Sequence, residues 1–253
     1  MDLRPIETYY DTVPRAVASV EEVGPFTLFV ADPATGWQFY ARPRLGATGE
    51  ITADDVRRVL DRQGELRVPR ALEWVDEVTP SLLPAVRAAV PGTAPALCPL
   101  LVQGRQVPRT GPDASARILH ADDPELPLVL GAVHAAFEGR DDVVAREPGR
   151  QREMVAEGLL VVAAAHDCSG AVVGGGSAAP RGDVAELMGI AIVPSARGRG
   201  LGAATTAALA DACRARGERT VFLSAASDDA ASVYRSAGFE RVGTACILQV
   251  ADD

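Results

Sequence analysis

The sequence predicts an α/β (α+β) protein built in two parts. Two observations predict the class, and a third predicts the division. Short apolar runs suited to buried strands alternate with helix-period segments along both halves. The chain has 253 residues, 47% hydrophobic and 23% charged, which is ordinary composition for packed cores and not for a disordered chain. Near the middle, a polar stretch from Arg105 to Ser115 carries Pro108, Gly111 and Pro112 and interrupts the pattern as a linker does. The expected domains are an N-terminal α/β domain over residues 1–110 and a second over 116–250.

In the first part, Phe26 to Val30 and Gln38 to Arg42 read as strands. Thr52 to Leu66 reads as a helix, with Asp54 and Asp55 in the first turn, where carboxylates suit the helix dipole. Ala71 to Asp76 is a strand, Pro80 to Ala89 a helix and Ala96 to Val102 a strand. Trp37, Tyr40 and Trp74 either line a pocket of a substrate-binding or dimerisation domain or fill a core.

In the second part, Arg117 to Ala121 reads as a strand, and a helical pattern runs from Asp123-Pro124 through Leu128, Leu130, Val133, His134 and Phe137. A further helix is expected near Gln151 to Glu157. Strands follow at Leu159 to Ala165, Ala171 to Ala179 and Ala185 to Val193. A basic, glycine-rich turn from Pro194 to Gly202 opens into a helix that Gly217 ends at Arg216. Thr220 to Ala225 is a strand, Asp228 to Ala237 a helix stopped by Gly238, and Phe239 to Val250 the last strand. The helix–strand–helix–strand order of residues 202–250 repeats that of residues 52–102. A degenerate half-copy of one fold accounts for this, and so does an unrelated support domain. The segment Arg44 to Gly49 sits where the copy's basic loop would be but lacks its crowded arginines, and no cofactor is assigned to it.

Composition excludes several chemistries. All 25 basic residues are arginine, so neither a phosphate-binding lysine of the P-loop type nor a Schiff-base lysine is available. Cys98, Cys168, Cys213 and Cys246 form no C-x-x-C pair, and His120, His134 and His166 are scattered. A metal site, a disulfide framework and a histidine triad are therefore not expected. A net charge of −9 disfavours nucleic acid as a partner. The N-terminal residues lack the apolar run of a signal peptide, and no apolar run approaches the length of a membrane span, so a soluble cytoplasmic protein without a membrane partner is expected. A homodimer is left open.

The segment richest in chemistry is Ile190-Ala191-Ile192-Val193-Pro194-Ser195-Ala196-Arg197-Gly198-Arg199-Gly200-Leu201-Gly202-Ala203. A strand enters a turn whose glycines let backbone N–H groups converge, and a helix N-terminus adds partial positive charge. With Arg197 and Arg199 this is a cradle for a diphosphate. Gly198-x-Gly200-x-x-Ala203 also fits a dinucleotide fingerprint. Four residues separate Val193 from Gly198, however, and no carboxylate ends the next strand, since Glu218 precedes it and Asp228 lies beyond it.

Arg197-Gly198-Arg199-Gly200-Leu201-Gly202 satisfies the acetyl-CoA loop pattern R-x-x-G-x-G/A. Ser227 to Phe239 is similar to N-x-x-A-x-x-x-Y-x-x-x-G-F, with Ser227 in place of Asn, and Ala185-Glu186-Leu187 is similar to the start of a central strand. On these blocks the second part resembles the GNAT superfamily of N-acetyltransferases. The resemblance implies a mixed central sheet flanked by helices, with two strands splayed apart to admit the pantetheine arm. It implies acetyl-CoA as co-substrate, no metal, and direct acetyl transfer to a primary amine on a small molecule or peptide. The backbone of Ile190, Ala191 and Ile192 would meet the pantetheine and acetyl group, with the Ile192 N–H as oxyanion donor. Residues Arg197, Gly198, Arg199, Gly200, Leu201, Gly202 and Ala203 would hold the pyrophosphate, and Ser227, shorter than the family's Asn, would contact CoA through water or not at all. Tyr234 matches the general acid; Glu186 is either the base or a solvated strand residue. The alternative function is a non-catalytic module that binds or senses acyl-CoA.

Overall fold

A computed structural model describes residues 2–31, 39–104 and 115–251. The expected linker, Ser115 apart, lies outside the described residues, as do Trp37 and Gln38. The elements in chain order are α1 (Arg4–Arg15), β1 (Ala18–Val23), β2 (Phe26–Ala31), β3 (Arg42–Pro43), α2 (Ala53–Glu65), β4 (Ala71–Val75), α3 (Leu82–Ala89) and β5 (Ala96–Gln103). They continue with β6 (Ser115–Leu119), α4 (Leu126–Phe137), α5 (Arg150–Ala156), β7 (Val161–His166), β8 (Val172–Arg181), β9 (Val184–Ile192), α6 (Leu201–Arg216), β10 (Thr220–Ser224), α7 (Asp228–Ser236) and β11 (Phe239–Gln249). Contacts divide the chain into one unit of residues 1–100 with 242–253 and another of residues 101–241.

In the first unit, β1, β2 and β3 make an antiparallel sheet. Gly24, at φ +58°, supplies the two-residue turn between Val23 and Phe26. Residues 245–249 of β11 pair antiparallel with β4, which places the chain's end in this unit. The core gathers Phe26, Leu28, Val56, Leu60, Leu72, Trp74, Val86 and Leu248. Trp74 is fully buried there, so it fills a core and does not line a pocket. The α2 N-terminus is closed by its own side chains: the Thr52 hydroxyl accepts from the Asp55 amide, and the Asp55 carboxylate accepts from the Thr52 amide. A buried ion pair joins Arg42 to Glu73, with the Arg42 guanidinium 3.8 Å from the Tyr10 ring centre.

In the second unit, β10, β9, β8, β7 and β6 are neighbours in that order; β9 and β10 run parallel and the rest antiparallel. Strand alternation assigns the faces. Val161 and Ala163 of β7 join a cluster with Leu209, Ala210 and Cys213 of α6, whereas Val162 and Ala164 join Leu126 and Val129 of α4. The two helices therefore cover opposite faces, and Val161 to Ala165 are all buried as a doubly covered strand requires. Small residues set the spacing. A Cβ on Gly175 would stand 2.4 Å from the Ala163 carbonyl oxygen and 2.6 Å from Val129 of α4. No helix among the described residues is long and apolar enough to cross a membrane.

Candidate active site

Strand β9 carries an irregularity that shapes the site. Its register with β8 passes from Met188 opposite Ser177 to Ala191 opposite Gly175, so β9 has one extra residue there. Gly189 lies in this bulge at φ +63°, a left-handed conformation in which its missing side chain avoids strain. Beyond the bulge the Val193 amide donates to the Val173 carbonyl at 2.9 Å. Antiparallel alternation then turns the backbone of Ala191 toward Gly175 and the N–H and C=O of Ile192 away from β8, toward the β10 side. Ala191 is thus the one residue of its trio whose backbone groups face β8.

On that side β9 loses its neighbour. The parallel register runs from Val184/Thr220 to Glu186/Phe222 and stops, although β9 continues to Ile192 and β10 to Ser224. The two strands splay, as the resemblance implied. The gap opens into a cavity of about 510 Å³ lined by β9, the loop, the first turn of α6, α7 and the end of α4.

A 3₁₀ turn, Pro194–Ala196, leads from β9 into the loop. Gly198 and Gly200 take φ +75° and +79°, and Gly200 caps α6 without any side-chain cap. The first α6 amide bonded back to the loop is that of Ala204, to the Gly200 carbonyl at 3.0 Å, which leaves the preceding amides of the first turn to face the cavity as at any helix start. Leu201 anchors the turn in a cluster with Ala136, Ile192, Val193 and Ala196.

Tyr234 stands on α7, one turn after Ala230, and both pack against the core cluster that holds Leu209, Ala231 and Phe239. Burial pushes its phenol above the ordinary value of 10.0, because the charged form loses water, so it stays protonated at neutral pH. The structure thus brings Ile190, Ala191, Ile192, Arg197, Gly198, Gly200, Leu201, Gly202, Ala203 and Tyr234 to one cavity. Three expected residues lie outside its lining. The Ser227 hydroxyl accepts the Ala230 amide at 3.2 Å as the α7 N-cap. Arg199 is exposed and donates to the Ser195 carbonyl at 3.2 Å. Glu186 sits half-buried where the splay begins, opposite Ala179 and Phe222. Ala136, Phe137, Ala196, Ala230, Val233 and Ser236, to which the sequence assigns no cofactor or catalytic role, also line the cavity. Of these only Ala230 and the α7 pair carried a signal, their spacing around Tyr234.

Comparisons with known proteins agree with this geometry. The model of the acetyltransferase (GNAT) family matches residues 131–239. No curated protein matches the chain. A GCN5-related N-acetyltransferase from Kribbella flavida has a TM-score of 0.72 at 18% identity, covering 99% of this chain and 96% of that one. A GCN5-related N-acetyltransferase-like protein from Streptococcus suis has a TM-score of 0.55 at 14% identity, with 98% of both chains covered. A tandem GNAT protein from the clavulanic acid biosynthesis pathway has a TM-score of 0.52 at 14% identity, covering 90% of this chain and 79% of that one. Residues 131–239 therefore match the acetyltransferase (GNAT) family model, and the chain has the fold of GNAT proteins.

Proposed function

We propose that the chain transfers the acetyl group of acetyl-CoA directly to a primary amine carried by a small molecule or peptide. The observation that supports this most is the gap where β9 parts from β10, beside a helix start capped only by glycine. The amides from Gly198 to Ala203 suit a diphosphate, since they are donors at the positive end of a helix dipole. The Ile192 N–H, turned to the gap, suits the oxygen on which negative charge develops; one such donor contributes about 2.7–4 kcal/mol. Glu186 takes the proton of the acceptor's ammonium, directly or through water. As the C–N bond forms and the C–S bond breaks, the Tyr234 hydroxyl gives its proton to the leaving sulfur, the second proton shed by the nitrogen returns through water to the phenolate, and Glu186 releases its proton to solvent. No acyl group is attached to the enzyme. The first unit, whose α2-β4-α3-β5 succession parallels α6-β10-α7-β11, is a degenerate copy of the same fold.

One observation favours a second reading, a non-catalytic acyl-CoA-binding module: among the described residues no carboxylate lines the cavity. The deciding experiment is thiol release from acetyl-CoA across amine classes, run beside calorimetric titration with CoA. Thiol release with any amine class supports the enzyme. Tight CoA binding without thiol release across alkylamines, polyamines, amino acids and peptide N-termini supports the binding module, and absence of binding removes both readings.

A further inference from the structure

The two arginines of the loop look alike in sequence, as two charges offered to one diphosphate. Their side chains do different things. Arg197 is exposed like Arg199, but its guanidinium is bound to two carbonyls: Nε donates to the Ile192 carbonyl at 2.8 Å and Nη2 to the Ala136 carbonyl at 3.0 Å. A planar fork suits two acceptors held at fixed separation, as a lysine ammonium does not. Ala136 is in the last turn of α4, where the helix dipole favours a cation, and its carbonyl accepts the Gly139 amide at 3.2 Å as well as the guanidinium. Ile192 is the residue whose backbone faces the gap. Its carbonyl belongs to the same peptide as the Val193 N–H, which the Val173 carbonyl holds at 2.9 Å. Arg197 therefore fixes the free end of a peptide whose other end is already fixed. A second tie joins the same two segments, since the Asp141 carboxylate, just past α4, accepts the Ser195 amide at 2.8 Å.

We propose that Arg197 is a positioning residue and not the cation of the diphosphate: it locks the end of β9 to the end of α4, and the cradle's shape depends on that lock. The inference rests on the acyl-CoA reading of the cavity. Charge for the diphosphate then comes from the loop amides and the helix dipole.

The test is calorimetric titration with CoA of the wild type, Arg197→Lys, Arg197→Ala and Asp141→Asn at low and high salt. The expected result is that Lys and Ala weaken binding equally, by about tenfold for the loss of charge-assisted hydrogen bonds, and leave the salt dependence at the wild-type slope. Asp141→Asn weakens binding in the same direction, again without changing the slope. Lysine restoring wild-type affinity, or alanine flattening the salt dependence, makes Arg197 a phosphate contact and overturns the proposal. If the Arg197 variants do not fold, Asp141→Asn decides: unchanged affinity overturns the coupling of the two segments. Wild-type protein that binds no CoA overturns the acyl-CoA reading instead. Hydrogen exchange then reads the lock alone, with faster exchange at residues 136–141 and 193–197 in Arg197→Lys supporting it and unchanged exchange refuting it.

Discussion

Gly131 lies in the middle of α4, and its replacement by alanine sets two effects against each other. Helix propensity alone favours alanine by about 0.8–1.0 kcal/mol. The new Cβ, however, would stand 2.0 Å from the Val144 carbonyl oxygen and 2.7 Å from its carbon, both backbone atoms. Carbon and carbonyl oxygen rest no closer than about 3.3 Å, so the segment would have to retreat by more than about 1 Å. It is pinned, because the Arg146 amide donates to the Pro127 carbonyl at 2.9 Å and Asp141 holds the Ser195 amide. Overpacking of this kind costs about 1–3 kcal/mol, and one lost hydrogen bond adds about 1 kcal/mol. Clash exceeds propensity, and Gly131→Ala is expected to lower stability by about 1–3 kcal/mol. For a chain of this size that is roughly 2–4 °C in melting temperature per kcal/mol. Urea unfolding followed by circular dichroism measures it, with hydrogen exchange locating the loss to residues 141–147. A variant as stable as the wild type, or more so, would show that the segment does not lie on α4 and would refute the reasoning.

Tyr234→Phe is expected to lower turnover by about a hundredfold or more while CoA affinity, read by calorimetry, is unchanged; an unchanged rate removes the tyrosine's acid role. Glu7 is buried in the first unit, and loss of water raises its pKa above 4.5, with the Arg42 charge opposing and Glu73 and Asp11 adding to the rise. A raised carboxyl pKa gives stability that is present below the ordinary value and lost as pH rises through the folded value. Glu7→Gln is therefore expected to gain on the wild type in urea midpoints as pH rises above the ordinary carboxyl value and through the raised one, and a difference constant with pH contradicts the burial argument.

Much of the second unit was legible in the sequence because its elements are locally specified. Helix α6 runs from the Gly-rich turn to Gly217, at φ +107°, and α7 from Ser227 to Gly238, each with its own start and stop signal. The first unit was harder. Helix α1 buries Ile6, Tyr9 and Tyr10 at helical spacing, but its two prolines weaken the pattern; Pro5 sits in the first turn, where its missing N–H is harmless. Strand β1 was missed because only Val23 of it is buried, and pairing with β2 holds it in place of any pattern of its own. Pairing of residues 245–249 with 71–75 spans most of the chain, and no local signal announces it. At the site, the loop's glycines and arginines gave the cradle, and Gly189 inside a strand pattern was the available sign of the bulge. The bonding of Arg197 left no trace, since its acceptors are carbonyls, which every residue has.

The closed start of α2 has a consequence for stoichiometry. In the first unit a carboxylate of the chain's own already sits on the helix end that, in the second, presents bare amides. An incoming phosphate would meet negative charge and occupied donors there. If the first unit is the degenerate copy proposed above, the copy does not repeat the cradle among the described residues, and titration with CoA should reach saturation at one equivalent per polypeptide.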